Sequence, residues 1–244
     1  LVLFGGERVE LNRLQGWLSQ APAHAELVNM YGPTECTDIT TTYRLTVEQA
    51  RLWLDSGREL PIGRAIPNVE IYVLNRFGQP VPVGEEGELY IGGASVGSGY
   101  LNRPEETAQA FIDHPQLKRL YKTGDRVRWR ASGELDYVGR VDFQVKLRGL
   151  RIELGEIEAA LRTEAGVDDA LALVVDEQLI GFVTGSIGES WRERLSRRLP
   201  GYMLPGSVVS LARWPLNVNG KVDRNALTDM VGARERKANY VPPR

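Results

Sequence analysis

The sequence predicts a mixed α+β fold arranged as two domains, with the boundary near Asp142. Residues 60–142 contain short alternating stretches separated by glycine and proline turns, a pattern typical of strands. After Asp142, helical periodicity alternates with short apolar runs, which is typical of a small α+β domain. The chain has 244 residues, 42% of them hydrophobic and 25% charged, which are ordinary values for a globular protein of one large or two small domains.

The first fifty residues mix strands with one helix. Two short apolar runs, each ended by a glycine turn, predict strands at residues 1–4 and 27–30. Leucines at helical spacing predict a helix between them, which Pro22 ends; these are Leu11, Leu14 and Leu18.

Residues 60–142 predict a sheet with short turns. A helical turn is expected at 107–111, and Ser132-Gly133 is a hairpin signal. The four candidate strands are 69–74, 88–91, 126–130 and 134–138. Strands joined by such short turns predict a small β-barrel or a curled sheet.

The residues after Asp142 predict a hairpin, then helices and strands in alternation. Basic and apolar residues alternate on both sides of Gly149, which supplies the turn of the hairpin. The elements expected next are a helix at 155–165, strands at 170–175 and 180–184, a helix at 191–199 and a strand at 208–211.

Composition excludes several classes of function. The net charge of −2 gives no electrostatic drive toward nucleic acid or an anionic membrane, and the apolar runs are far too short to span a bilayer. The single cysteine, Cys36, excludes an internal disulfide and fits a cytoplasmic setting. His24 and His114 lie too far apart in sequence to suggest a metal cluster. Because the chain begins inside a predicted strand, we expect a piece of a longer protein.

Five short runs occur along the chain in a fixed order. They are YGPTE at 31–35, YKTGD at 121–125, GRVDFQVKLRGLRIELGEIE at 139–158, LPGYMLP at 199–205 and NGKVDR at 219–224. Each run alone would recur by chance. In this order and spacing they resemble the adenylation domains of nonribosomal peptide synthetases, in the wider adenylate-forming superfamily. The resemblance covers essentially the whole chain, but only about the C-terminal half of the family domain.

The resemblance implies a division of the chain into three parts. Residues 1–142 would be the end of the large adenylation core, with a sheet edge and a β-barrel-like subdomain. Residues 143–233 would be the small mobile C-terminal domain. The polar, proline-rich tail at 234–244 would be a linker toward a carrier-protein domain.

Residues around YGPTE suit a nucleotide and its metal ion. Tyr31 offers a flat ring on which adenine can stack, and Asn29 an amide that can read the purine edge. Glu35 is a hard oxygen ligand suited to Mg²⁺. The competing interpretation of the pentapeptide alone is a surface turn. The resemblance adds four residues to the nucleotide site, namely Gly6, Glu7, Gly32 and Thr34.

Two residues downstream suit the ribose. Asp125 ends YKTGD, and a carboxylate is the usual receptor for a vicinal diol. Arg140 would add a donor to the ribose or the α-phosphate. Each residue alone is more often part of an ordinary turn or a surface arginine. The resemblance assigns both of them these roles and places Tyr137 against the nucleotide.

Lys221 is the adenylation catalyst that the resemblance implies. Attack of a carboxylate on the α-phosphate builds negative charge, which a mobile ammonium stabilises. Asn219-Gly220 provides a tight turn from which the lysine can project, although a chance lysine in a turn would be solvated and inert.

The implied pocket for the substrate is lined by Leu3, Gly5, Met30, Asp38, Ile39 and Lys221. Asp38 hints at a basic or hydrogen-bonding substrate side chain, and an exposed loop acid is the alternative.

The resemblance also implies a change of orientation between two half-reactions. Asp142 would be the hinge between the domains, because hinges absorb large backbone changes at a few residues; the alternative is a turn cap. The hairpin residues Lys146, Arg148 and Gly149 would face the active site in the second orientation, the alternative being a solvated basic hairpin.

The implied activity is amino-acid activation. ATP with Mg²⁺ and an amino acid would give an aminoacyl-adenylate, and the phosphopantetheine thiol of a carrier-protein domain would then accept the aminoacyl group. An MbtH-like helper is a further candidate partner.

The phosphate loop of the family lies upstream, so we expect the 244 residues to need their N-terminal part for activity. The alternatives are an acyl-coenzyme A ligase and an inactive fragment that serves as a docking platform for a carrier or helper.

One matching run departs from the family pattern. Residues 87–101 have Ser98 where an arginine usually precedes Gly-Tyr, and Ser95 where a glycine is usual. We expect this run to be scaffold and the departures to have little effect on chemistry.

Overall fold

The computed structural model describes residues 1–56, 59–142 and 144–238. The chain divides into two compact units, Leu1–Asp142 and Phe143–Arg244. The predicted mixed α+β class is confirmed, because the described residues form both strands and helices in each unit. The assignment of the units to the core and the mobile domain of an adenylation enzyme stays a prediction.

The first unit opens with a small mixed sheet. Its strands, in spatial order, are β1 Val2–Phe4, β2 Glu26–Tyr31, β3 Thr41–Thr46 and β4 Arg64–Ala65. β1 runs parallel to β2, and the other neighbours are antiparallel. Two helices, α1 Gln15–Gln20 and α2 Val47–Ser56, pack against this sheet in one hydrophobic cluster. The sequence did not predict β3 or α2.

The second sheet of the first unit has five strands. They are β5 Val69–Leu74, β6 Glu86–Gly93, β7 Phe111–His114, β8 Lys118–Trp129 and β9 Leu135–Arg140, with the short helix α3 Pro104–Ala110 before β7. β8 lies in the middle, pairing with β6 on one side and with both β7 and β9 on the other. Among the described strands β5 pairs with neither β7 nor β9, so the sheet does not close. Of the two sequence-based expectations, a small β-barrel or a curled sheet, the described strands do not form a closed barrel and are compatible with the curled sheet.

The second unit is a hairpin followed by a three-stranded sheet with helices on both faces. The hairpin strands are β10 Val145–Leu147 and β11 Leu150–Ile152; the sheet, in spatial order, is β12 Val167–Val175, β13 Gln178–Gly185 and β14 Ser207–Leu211. The helices are α4 Leu154–Arg162, α5 Trp191–Ser196 and α6 Arg224–Ala238. One hydrophobic cluster contains α4 and α5 residues, and a second, on the other face, contains Leu227 and Val231 of α6.

The predicted linker only partly falls within the described residues. α6 extends to Ala238, so the first five residues of the expected 234–244 linker are helical. The remainder, 239–244, lies outside the described residues, and the linker assignment stays a prediction. In the part of the chain that is described, every helix is too short or too polar to cross a membrane.

Candidate active site

The β8–β9 pair brings two of the predicted nucleotide residues together. Asp125 and Arg140 are directly opposite each other in the strand register. Gly124 precedes Asp125 with a φ of 73°, and a Cβ there would lie 2.7 Å from both Arg140 and Asp142 side-chain atoms. A glycine is therefore needed at this point, because any side chain would displace the guanidinium from its place.

The Arg140 guanidinium joins the predicted ribose carboxylate to the predicted hinge carboxylate. It donates from Nη1 to Asp125 Oδ1 at 2.7 Å, and from Nε and Nη2 to the two oxygens of Asp142 at 2.6 Å each. Burial opposes the charge, but the hydrogen bonds to Asp142 and the attraction of both carboxylates outweigh it and raise the pKa of Arg140 above its ordinary value. Arg140 is thus a fixed cation at this site.

Two tyrosine hydroxyls also reach Asp125, which is buried. Tyr31 donates to Oδ2, and Tyr137 lies at a longer 3.4 Å from Oδ1. Burial, with the nearby Asp125 charge, raises the pKa of Tyr137 to about 12 and that of Tyr31 well above its usual value. Both hydroxyls are therefore donors at neutral pH, and they lie on the two oxygens of the Asp125 carboxyl group.

Tyr31 is buried in the first unit, and its stacking on adenine stays a prediction. Its side chain is only 8% exposed, and its ring packs in the core of the first unit 6.5 Å from the ring of Tyr137. Its hydroxyl donates to Oδ2 of the predicted ribose carboxylate. A carboxylate has about four lone-pair sites, so Asp125 can accept further hydroxyl donors beside this tyrosine.

Thr123 is a site residue that sequence reasoning missed. It is buried; its hydroxyl donates to the Leu89 carbonyl at 2.8 Å and accepts the Asp125 N–H at 3.0 Å. Its own carbonyl accepts from Arg140 Nη2 at 3.2 Å. The threonine of YKTGD was the available signal, since a hydroxyl two residues before an acid can bond the backbone of that acid.

The turn at Gly32 presents Glu35. A Cβ at Gly32 would lie 2.2 Å from the Asp38 carbonyl oxygen, so only glycine allows the chain to double back there. Thr37 and Asp38 both have positive φ, and Thr34–Cys36 forms a 3₁₀ turn. This places Glu35 half-buried, while Thr34 and Asp38 are exposed.

Glu35 suits one ligand position of a magnesium ion. Its Oε1 accepts the Tyr100 hydroxyl at 2.6 Å, a second contact that the sequence did not reveal. Among the described residues no group of three or more acidic, histidine or cysteine side chains gathers into a metal cage. A single carboxylate completed by phosphate oxygens and water is the usual arrangement for magnesium with a nucleotide.

The remaining predicted residues of the first unit lie along the small sheet. The Asn29 amide is buried and donates to the Pro61 carbonyl at 2.8 Å, so one N–H of the side-chain amide is already used in a hydrogen bond within the protein. A Cβ at Gly5 would lie 3.5 Å from Met30, so these two predicted pocket positions are neighbours. Leu3, Gly5, Gly6 and Glu7 are exposed, and Met30 and Ile39 are partly exposed.

In the second unit, Lys221 projects from a tight turn that Asn217 organises. The Asn217 side-chain oxygen accepts the N–H groups of Asn219 and Lys221 at 2.9 and 3.1 Å, and its own N–H donates to the Lys221 carbonyl at 2.8 Å. Gly220 takes a φ of 73°. The Lys221 side chain is exposed, as a lysine that must reach a substrate should be.

The hairpin of the second unit carries the other predicted functional residues. Arg148 and Gly149 form its two-residue loop, both with positive φ, which is typical of the turns that join tightly paired antiparallel strands. Lys146 and Arg148 are exposed. A side-chain network of Gln144, Arg151 and Glu153 braces the base of the hairpin.

Comparison with known proteins shows, as a first step, which broad class of enzymes the chain is similar to. A family model described as AMP-binding enzyme matches residues 1–101. The Vibrio cholerae adenylation domain AlmE, solved in complex with glycyl-adenosine-5'-phosphate, superposes with a TM-score of 0.81 at 27% identity, over 95% of this chain and 44% of that one. The fold and the sequence are thus similar to those of AMP-binding and adenylation enzymes.

Within that class, the similarity is to peptide synthetases. A dimodular nonribosomal peptide synthase of Bacillus subtilis is 45% identical over 240 aligned residues, which are 93% of this chain and 10% of that protein. Holo-PA1221, an NRPS protein containing adenylation and PCP domains, superposes with a TM-score of 0.80 at 33% identity, over 92% of this chain and 39% of that one. The predicted resemblance is confirmed: the chain is related to adenylation domains of nonribosomal peptide synthetases, and spans only a part of these relatives.

Proposed function

We propose that the chain is the part of an amino-acid-adenylating domain that holds the ribose and supplies the catalytic lysine. The observation that carries the proposal is the buried Asp125 carboxylate, ringed by the donors of Tyr31, Tyr137 and Arg140, in a chain 45% identical over 93% of its length to a peptide synthase. Such a carboxylate is the receptor that a nucleotide ribose needs.

In the first half-reaction, the substrate carboxylate attacks the α-phosphorus of ATP, and the bond to the departing pyrophosphate breaks. Asp125 would hold the ribose hydroxyls, and Arg140, already fixed by two carboxylates, would orient the nucleotide. The exposed ammonium of Lys221 would donate to the substrate carboxylate and to the α-phosphate, where charge develops. A magnesium ion bound with ATP would neutralise phosphate charge, and Glu35 would be its protein ligand.

The second half-reaction would transfer the aminoacyl group to a carrier. The phosphopantetheine sulfur would attack the acyl carbon, AMP would leave, and the thiol proton would pass to solvent. Support comes from holo-PA1221, in which adenylation and PCP domains occur in one protein. In this scheme Asp142 is the hinge, and the hairpin of Lys146, Arg148 and Gly149 borders the path of the thiol.

We propose further that the 244 residues need an N-terminal companion for useful activity. The matched structures are about twice as long as this chain, which spans 39–45% of several of them. The pocket formed with Leu3, Gly5, Met30, Asp38 and Ile39 would then be completed by that part. A cytoplasmic location and an MbtH-like helper protein belong to the same proposal.

The test compares substrate classes in one assay. The intact protein that contains this chain is supplied with ATP, Mg²⁺ and labelled pyrophosphate, and exchange into ATP is measured with a panel of amino acids and with the matching carboxylic acids that lack the amine. The proposal expects exchange with one or a few amino acids only. Exchange with plain carboxylates, followed by thioester formation on coenzyme A, would identify an acyl-coenzyme A ligase instead. No exchange with any substrate would favour the docking fragment.

A further inference from the structure

A loop outside the proposed nucleotide site is hydrogen-bonded to the turn that carries Glu35. Three hydrogen bonds join this loop, residues 95–100, to the turn. The Gly97 N–H donates to the Glu35 carbonyl at 2.8 Å, and the Thr37 hydroxyl donates to the Ser95 carbonyl at 2.9 Å. The third bond, from the Tyr100 hydroxyl to Glu35 Oε1 at 2.6 Å, reaches the carboxylate itself. The loop therefore fixes both the backbone and the side chain of Glu35.

Tyr100 is itself held firmly. Its ring packs edge-on against Phe111, with 5.4 Å between ring centroids, and its N–H donates to the Thr107 hydroxyl at 2.9 Å. Gly99 takes a φ of 136°, and a Cβ there would lie 2.4 Å from the Thr107 methyl group. The glycine before the tyrosine is needed for this close approach to α3, which sets where the phenol points.

The two departures from the family pattern do not interrupt this arrangement. Ser95 takes part through its carbonyl, and Ser98 accepts from Arg119 through its carbonyl at 2.7 Å. Because the contacts use the backbone, the identity of these side chains matters little to them. The residue in this run whose side chain reaches the functional turn is Tyr100.

We infer that Tyr100 is a positioning residue that aims the Glu35 carboxylate at the magnesium ion of Mg-ATP. The inference rests on the proposed function, in which Glu35 is the metal ligand. Magnesium demands near-ideal octahedral geometry, so a carboxylate already oriented loses little freedom on binding. Hydrogen-bond partners of a metal ligand typically change metal affinity or activity by about 10–100-fold when removed.

The variant that tests the inference is Tyr100→Phe, which keeps the ring and its packing on Phe111 and removes only the hydroxyl. In the intact protein, binding of a fluorescent non-hydrolysable ATP analogue is followed while Mg²⁺ is titrated. We expect half-maximal binding to require about tenfold more Mg²⁺, with unchanged binding of the analogue in metal-free buffer. The matched control is Tyr72→Phe, which removes a hydroxyl that donates to Glu70 at 2.8 Å elsewhere in the first unit and should change nothing.

A double-mutant cycle that combines Tyr100→Phe with Glu35→Ala distinguishes failure of the proposed metal role of Glu35 from failure of the inference about Tyr100. If Glu35→Ala leaves the Mg²⁺ requirement unchanged, the metal role of Glu35 is wrong, and the role of Tyr100 falls with it. If Glu35→Ala raises the requirement and Tyr100→Phe does not, Glu35 is the ligand and only the inference about Tyr100 is overturned. If both raise it, the double variant should need no more Mg²⁺ than Glu35→Ala alone, because Tyr100 acts through Glu35.

Discussion

Replacing Arg140 by methionine should destabilise the first unit strongly. Methionine keeps an apolar stem of similar length and removes the guanidinium, which has side-chain exposure of only 13% and donates to Asp125, Asp142 and the Thr123 carbonyl. Asp125, whose side chain is 8% exposed, would be left as a buried carboxylate without its cation. Breaking a buried ion pair from one side costs about 3–5 kcal/mol. The bond to Asp142, which is 39% exposed, adds about 0–1 kcal/mol.

The measurement is urea unfolding of the intact protein, with hydrogen exchange of the β8 and β9 amides to assign the change to the first unit. Arg103→Met is the control, because its ion pair with Glu106 is exposed and should contribute little. Adding Asp125→Asn to Arg140→Met should restore part of the loss, since it removes the uncompensated charge. A loss no larger than that of the control, or a double variant less stable than Arg140→Met, would refute this reasoning.

Further predictions concern a turn and a pH dependence. Gly32→Ala should destabilise the first unit and abolish nucleotide binding, because its Cβ would lie 2.2 Å from the Asp38 carbonyl; Gly16→Ala, in a helix with nothing within 4 Å, should instead raise the melting temperature slightly. A hydrogen bond from Arg162 lowers the pKa of Asp169, so the carboxylate stabilises the second unit above about pH 4 and this contribution disappears as the pH falls through the lowered pKa. Asp169→Asn should therefore be less stable than the natural chain at pH 7 by urea unfolding, and the difference should shrink as the pH falls through the lowered pKa; a difference that does not shrink contradicts the assignment.

Much of the fold could be predicted because its strands have local signals. The predicted strand at 69–74 coincides with β5, and the Ser132-Gly133 turn joins β8 to β9 as expected. The pattern of apolar and polar residues could not show which strands pair with each other. Alternation shows that a segment is a strand, but not that β8 pairs with β7 and β9 on one side, so the sequence could not decide between a small β-barrel and a curled sheet.

Two of the missed elements differ in the signal that their residues gave. Thr41–Thr46 had a strand signal that was overlooked, because threonine and tyrosine favour strands and Tyr43 and Leu45 alternate with polar residues; the segment pairs with β2. The helix Arg224–Ala238 is mostly polar and was taken in part for a linker. Leu227 and Val231 are its buried contacts among the residues whose side chains are described, and two apolar positions make a poor periodic pattern.

The site residues could be located by their motifs, but not their contacts. Tyr31 and Asp125 are 94 residues apart, and Glu35 and Tyr100 are 65 apart. No local rule predicts that the hydroxyl of Tyr31 would donate to Asp125, or that Tyr100, in a run taken for scaffold, would donate to Glu35. Such pairings depend on sheet register and loop packing, which only the folded chain fixes.

The most direct test of the central claim is detection of aminoacyl-AMP by mass spectrometry after the intact protein is mixed with ATP, Mg²⁺ and amino acids. The account predicts one aminoacyl-adenylate, formed by the natural protein and reduced at least a hundredfold in Lys221→Ala, while Lys118→Ala, which changes a lysine in the first unit, keeps the natural rate. No adenylate from any amino acid, or an undiminished yield from Lys221→Ala, would contradict the account.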